Sequence, residues 1–394
     1  MGRTQRPHLW AMAATVAVAA TVACVPTAWG ATGSAASTQA AGTTLAGAAQ
    51  PVGGEIVSTV APVLQANGTS TRRYSTKEMQ KVDAEGGDPA VLAYWTPERM
   101  AKAKPLDAPG DAKAVRLMAQ DVAAELATGT LAGPANTLPS GPADGTAEGK
   151  TVTRPVAPEG APAGGAQVNG INTFPISTGK LFIGGYGSGS YCSAATINTK
   201  SKRVVITAGH CVHSGRGGSW HSNLVFVPRF NGTAANKKQY GVFQARTLHT
   251  FKTWIQKGGT SQGWYRDVGM ITTYSNAQGK RVVKAVGGNG LKIDQYYRWP
   301  AKVFGYPSNR DDGQVMWGCQ SMTRKSGVAA RTSLVSGCNF GTGSSGGPWV
   351  WHYDAKTRLG FVRGVTSYGT PRNRSIGAPH FDSAVHRLAV STNN

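Results

Sequence analysis

From Phe174 onward the chain is written in brief β-rich runs broken by Gly, Asn and Pro: Lys180-Leu181-Phe182-Ile183, Ala195-Thr196-Ile197, Val204-Val205-Ile206, Leu224-Val225-Phe226-Val227, Val303-Phe304 and Trp349-Val350-Trp351. Short strands at close spacing with turn signals between them predict an all-β unit of antiparallel barrels or a sandwich. A stretch of about 220 residues is long enough to bury a core of its own. The pattern Ser383-Ala384-Val385-His386-Arg387-Leu388 predicts a closing helix.

The front of the chain is different material. With 394 residues the chain is long for one domain, and it reads as one folded unit plus processed segments. Residues 1–30 place Arg3 and Arg6 before an apolar run from Trp10 to Cys24 and small residues at Ala28-Trp29-Gly30-Ala31. This is the layout of a secretory signal peptide, too short for a retained membrane span, and it predicts a secreted, extracellular product. Thr21-Val22-Ala23-Cys24 offers a competing reading as a lipoprotein processing site with Cys24 lipidated. Residues 31–127 are rich in Ala, Gly, Thr and Pro but carry three helical signals. Ser75-Thr76-Lys77-Glu78 has the form of a capping box, Thr96-Pro97 puts proline at a first helical position, and Val115, Met118, Val122 and Leu126 share one helix face. Residues 128–170 lose that periodicity and read as a Gly/Pro/Ala-rich linker. The expected organisation is therefore a partly helical propeptide at 31–127, a linker at 128–170 holding the processing site, and a catalytic unit at 171–394. The competing reading of the front is a wall-spanning spacer.

The chemistry is carried by three segments. Gly341-Thr342-Gly343-Ser344-Ser345-Gly346-Gly347-Pro348 presents a serine among glycines. A serine hydroxyl is a weak nucleophile unless a base takes its proton and donors receive the charge that develops on the attacked carbonyl. Gly343 lets its own N–H and that of Ser345 point at one oxygen, and Gly346 and Gly347 keep the approach open. A base and an acid stand upstream, His210 in Thr207-Ala208-Gly209-His210-Cys211 and Asp267 in Arg266-Asp267-Val268-Gly269. His213, His221 and His249 read as surface residues, and Asp294, Asp311 and Asp312 as solvated turn carboxylates.

At these residues the chain resembles the chymotrypsin-fold (trypsin-like) serine peptidases, with His, Asp and Ser in that order. Val303-Phe304-Gly305-Tyr306-Pro307 and the Cys338 before the serine loop resemble the branch containing the secreted bacterial glutamyl endopeptidases. The resemblance covers roughly residues 171–394. It implies two antiparallel six-stranded barrels with the active site between them, His210 and Asp267 from the first and Ser345 from the second. It implies a serine endopeptidase working through an acyl-enzyme without cofactor or metal. Ser345 attacks, His210 moves the proton, Asp267 holds the imidazole, and Gly343 and Ser345 form the oxyanion hole. Activity then falls as the solution turns acidic through the range where imidazole takes up a proton. Asn339, Thr342, Thr366, Ser367, Tyr368 and Gly369 fall where the family places its substrate pocket.

Once the leader is removed, Cys192, Cys211, Cys319 and Cys338 are an even set in an oxidising compartment, open to three pairings. Sequence neighbourhood and the resemblance favour Cys192–Cys211 and Cys319–Cys338, each bond stabilising by about 3 kcal/mol in the chain-entropy model. No cysteine pair has zinc-ligand spacing. Ser344 stands where digestive members carry the aspartate that pairs with a freed amino terminus, so activation works otherwise. Asn339 replaces the aspartate of trypsin-type pockets and Thr366 the histidine of glutamyl enzymes, which leaves the side-chain preference open.

The net charge of +22 belongs wholly to residues 151–394, because the twelve basic and twelve acidic residues of 1–150 cancel. Without a basic helix or a stacking module, this field points to acidic proteins or an anionic cell wall instead of specific nucleic acid. The expected partners are protein or peptide substrates met by a monomer. The alternatives are an inactive homologue that binds through its basic surface and an esterase using the same serine.

Overall fold

The computed structural model describes residues 53–107, 149–160 and 174–393, apart from 66, 67, 69, 186–188, 234–237, 328 and 371–373. The signal-peptide reading, the helix expected around Val115–Leu126 and most of the linker lie outside the described residues.

The front segment folds where local signals are strong. Strand β1 (Ile56–Val60) leads into a hairpin of β2 (Val63–Leu64) and β3 (Thr71–Arg72), followed by α1 (Thr76–Ala84), α2 (Pro89–Tyr94), α3 (Pro97–Lys102) and the short β4 (Lys104–Pro105). The Ser75 hydroxyl and the Glu78 side chain close the capping box at α1, and Thr96 caps α3 with Pro97 behind it, as the sequence predicts. Residues 149–160 hold β5 (Lys150–Thr153), a strand inside the stretch expected to be linker.

The first β unit comprises β6 (Thr178–Gly184), β7 (Ser190–Thr196), β8 (Val204–Thr207), β9 (Ser222–Pro228), β10 (Phe243–Phe251) and, after the short helix α4 (Lys252–Lys257), β11 (Gly269–Thr273). The ladder runs β10-β11-β8-β7-β6-β9, and β9 pairs back onto β10, so six strands close into an antiparallel barrel with no free ladder edge inside the ring. Leu181, Cys192, Ala194, Val205, Phe226, Leu248 and Ile271 fill it.

The second unit begins after α5 (Val282–Val286) with β12 (Gly290–Ile293), β13 (Pro300–Gly305), β14 (Trp317–Met322), β15 (Arg324–Lys325) and β16 (Thr332–Ser336). It continues with β17 (Pro348–Asp354), β18 (Leu359–Val365), β19 (Tyr368–Gly369) and β20 (Ser375–Pro379), then α6 (Ser383–Ser391), the closing helix, capped by Asp382. Its strands hydrogen-bond as two sheets, β14-β13-β17-β18-β12-β5 and β15-β16-β20-β19, instead of one continuous ring. Val303, Val335, Trp349, Ile376 and Phe340 pack between them. The architecture is all-β with two barrel-like halves, as expected.

The front segment is part of this body. β1 pairs antiparallel with β10 over five residues, β4 pairs parallel with β7, and β5 pairs with β12. Trp95 and Met100 are fully buried with Phe182, Val225 and Phe230 of the first barrel. Asp83 takes both guanidinium nitrogens of Arg203, at 2.8 and 2.7 Å. The sequence signal for this docking is thin, because the segment carries few aromatics and the buried ones lie between helices.

Lys180 is fully buried on the same face, with no hydrogen-bond partner for Nζ among the described residues. Its ammonium position lies 3.7 Å from the Tyr191 ring centroid, 4.9 Å from that of Phe230 and 5.3 Å from that of Phe182. Burial pushes its pKa down to about 7. The unfolded chain keeps this proton to about pH 10.4. Between those values the unfolded state binds more protons, so stability rises with pH and is lost as pH falls through about 7. Denaturant titrations are expected to show stability rising with pH between pH 7 and 10, with a slope smaller in Lys180→Met by up to about 1.4 kcal/mol per pH unit. An unchanged slope in the variant contradicts this placement.

Candidate active site

His210 sits on a single helical turn, Gly209–Cys211, that follows β8 directly. The Cys192–Cys211 disulfide ties that turn to β7, and the second bond forms between Cys319 and Cys338, so both expected pairings occur. Gly209 is required sterically, since a Cβ there comes within 3.0 Å of both Asp267 Oδ1 and the Trp254 ring. The Trp254 ring flanks the imidazole at 6.1 Å between centroids, and its Nε1–H donates to the His213 carbonyl at 2.8 Å.

Asp267 ends the short turn before β11 and is completely buried. One carboxylate oxygen accepts the His210 backbone N–H at 2.7 Å. The other accepts His210 Nδ1–H at 2.8 Å and the Ser367 hydroxyl at 2.5 Å. A carboxylate in this position fixes the tautomer that carries hydrogen on Nδ1, leaving the Nε2 lone pair available. Nε2 has no hydrogen-bond partner among the described residues.

Ser345 comes from the second unit, in the loop before β17. Its carbonyl accepts the Ser193 N–H at 2.7 Å, and Ser193 Oγ donates to the Gly343 carbonyl at 2.8 Å. Ser193 belongs to β7, so one serine of the first barrel holds the loop of the second by both main chain and side chain. Gly346 has φ +79°, and a Cβ there meets Thr207 Oγ1 at 2.0 Å and Ala208 N at 2.9 Å. The serine loop therefore lies against Thr207 and Ala208, three and two residues before His210. Gly343 has φ +85° and rests against the Tyr191 ring, which a Cβ approaches to 2.5 Å. The N–H groups of Gly343 and Ser345 donate to no backbone carbonyl among the described residues, as an anion-binding pair requires. Ser344, where a carboxylate would permit a salt bridge, donates to the Gly341 carbonyl at 2.7 Å.

The residues expected to form the substrate pocket take several different partners. Ser367 faces Asp267. Thr366 accepts the Trp349 indole N–H at 3.0 Å, and the Tyr368 hydroxyl is bound by Ser326 and Thr332 at 2.9 and 2.8 Å. Gly369 is exposed, and Thr342 is tied to Ser308 at 2.9 Å. Asn339, also exposed, lines a cavity of about 390 Å³ bordered by Phe174, Phe304, Trp317, Phe340 and the Cys319–Cys338 bond.

Two imidazoles depart from the sequence reading, since His213 and His249 are buried, and His221 is half-buried. His213 accepts the Gly215 N–H, and His221 Nε2–H donates to the His210 carbonyl at 2.9 Å. His249 bonds Ser58 of the front segment and Thr247, each at 2.7 Å. Burial pushes the pKa of His221 and of His249 to about 4, so both stay neutral and act as braces. Asp294, Asp311 and Asp312 are exposed, as expected.

Arg266, beside Asp267, is fully buried and spans both oxygens of Asp382 at 2.9 Å. Burial alone raises the Asp382 carboxyl, yet its hydrogen bonds from Arg266 hold it below the usual carboxylate range. Cys192, His210 and Cys211 have metal-like proximity, but both sulfurs are consumed in the disulfide. Ser193 is the contributor that no motif marks, while Ser367 and Arg266, both named in the sequence, have contacts there that the motifs do not foretell.

No protein-family model matches the chain. No curated protein matches it either. Among solved structures it is similar to a thermostable serine protease, AL20, from an extremophilic microorganism, at 26% identity over 55% of this chain and 98% of the other, with a TM-score of 0.49. It is also similar to the protease Anisep from Arthrobacter nicotinovorans, at 25% identity over 56% and 97%, TM-score 0.49. A Glu endopeptidase in complex with MPD matches at 17% identity over 58% and 96%, TM-score 0.45.

Ser367 braces the fully buried Asp267. Ser367→Ala removes one of three donors to that carboxylate and is expected to lower stability by about 1–3 kcal/mol. Denaturant unfolding of the variant checks it, and unchanged stability contradicts the contact.

Proposed function

We propose that the chain is a secreted serine endopeptidase made as a precursor, with Ser345 as nucleophile, His210 as general base and acid, and Asp267 as the group that orients the imidazole. The observation that carries this reading is the buried Asp267–His210 pair with Nε2 unengaged, against which Ser193 and Gly346 set the Ser345 loop.

Ser345 Oγ bonds to the carbonyl carbon while its proton passes to Nε2 of His210, and the carbonyl electron pair moves onto oxygen, facing the N–H groups of Gly343 and Ser345. Collapse expels the amine, which leaves with the proton from His210. Water then repeats the sequence on the acyl-enzyme and returns Ser345 to the free hydroxyl. Every group in this cycle belongs to the chain. The two disulfides suit an oxidising extracellular setting, and no helix among the described residues is long and apolar enough to cross a membrane. The positive charge of residues 151–394 raises the encounter rate with acidic proteins or an anionic wall. Processing falls in residues 128–170.

A serine-directed phosphonate is expected to label Ser345, and Ser345→Ala is expected to lose both the label and casein hydrolysis by about 10⁴-fold or more. Mass spectrometry of the labelled peptide checks it. Absence of labelling in folded protein contradicts the catalytic reading, and hydrolysis of short esters without casein restricts the activity to an esterase.

A further inference from the structure

The edge of β7 that faces the serine loop is shared by three occupants in succession. At Ala195 and Thr196 it pairs with β8, at Ser193 it donates to the Ser345 carbonyl, and at Gly189 and Tyr191 it accepts from the front segment. Residues two apart on a strand present their N–H and C=O groups to the same side. The Tyr191 carbonyl that accepts the Leu106 N–H at 2.9 Å therefore lies on the same edge as the Ser193 N–H, about 7 Å further along. The Gly189 carbonyl accepts the Lys104 N–H at 3.1 Å, which completes a short strand running parallel to β7 and toward the serine loop.

A polypeptide cut at Ser345 extends on both sides of the attacked carbonyl, and an extended peptide gains affinity by adding a strand to an open sheet edge. Next to the serine loop that edge is Gly189–Tyr191, and it is taken. We propose that Lys104–Leu106 is a built-in strap that holds this edge in the uncut chain, so that polypeptide substrates are kept out while the Ser345 hydroxyl stays reachable by small acyl compounds. The strap rests on the proposed endopeptidase reading and gives the front segment a defined inhibitory contact.

Its position is enforced from behind. Met100 and Trp95 are buried immediately upstream, Trp95 Nε1–H donates to the Asn223 carbonyl at 2.8 Å, and its ring lies 5.2 Å from that of Phe182. Asp83 is bound to Arg203 and to the Ser275 N–H. With these anchors on the barrel, cutting the chain beyond residue 107 leaves the strap in place, and opening the edge requires the segment itself to peel away. Tyr191 also supports Gly343 with its ring, so strap and oxyanion turn share one residue. None of the described residues 53–107 hydrogen-bonds the side chain of Ser345, His210 or Asp267.

The test compares freshly purified, uncut full-length chain with Leu106→Pro, which lacks the N–H given to Tyr191. Each is assayed on a short p-nitrophenyl ester that ends at the scissile bond and on a peptide that continues several residues beyond it. The uncut chain is expected to hydrolyse the ester and barely touch the peptide, and Leu106→Pro to raise the peptide-to-ester ratio by about tenfold, the worth of roughly 1.4 kcal/mol. An equal ratio in the two proteins overturns the strap while ester turnover leaves the catalytic reading standing, and failure of both proteins on the ester overturns the reading and the strap together. If Leu106→Pro does not fold, hydrogen exchange on full-length Ser345→Ala decides. The Lys104 and Leu106 amides lose protection on adding saturating extended peptide if the strap is displaced, and unchanged protection with the peptide bound overturns it.

Discussion

A buried carboxylate organises the molecule. Taking the Asp267 charge out of water costs several kcal/mol, and only a full set of donors offsets it. The chain supplies three, the backbone and ring of His210 and the hydroxyl of Ser367, from segments that are distant in sequence. Each has its own support. The Cys192–Cys211 bond and the Gly209 approach place the histidine, and the run from β18 into β19 places the serine. The neighbouring Arg266 is neutralised separately by Asp382, so the seam holds two compensated charges instead of one competing set.

The two β units could meet in many ways if packing alone decided. Polar contacts narrow the choice. Ser193 holds the Ser345 and Gly343 carbonyls, its hydroxyl accepts the Tyr306 N–H, and Gly346 fits under Thr207 with no room for a side chain. One strand, β7, thus serves as barrel wall, as anchor of the Ser345 loop and as docking edge for the front segment.

The broad fold was legible in the sequence because it depends on local chemistry, and the motifs marked the His210, Asp267 and Ser345 segments as candidates. Short β-branched runs need a sheet, Gly343 and Gly346 need positive φ, and the turn carrying His210 needs a small residue before it. The closing helix and the caps of the front helices were legible for the same reason. What could not be read depends on meetings across the chain. Ser193 looks like any strand serine until Gly343 is placed beside it, and Ser367, marked as a pocket position, shows its bond to Asp267 only in the fold. His249 lies in polar-looking sequence, yet the barrel buries it and keeps it neutral. The front segment was read as a partly helical propeptide, with a wall-spanning spacer as the alternative, and neither reading says where it docks. Its few large residues, Tyr74, Trp95 and Met100, fill an aromatic face of the first barrel that is visible only once the strands are laid side by side.

The account stands on the Asp267 carboxylate selecting the imidazole tautomer that leaves Nε2 ready to take a proton. Asp267→Asn keeps the volume and removes that selection, so the rate constant for phosphonate labelling of Ser345 is the most direct measure. A fall of about 10³- to 10⁴-fold at neutral pH, in a variant whose thermal unfolding shows it folded, is the predicted result. Labelling at the unaltered rate would contradict the central claim.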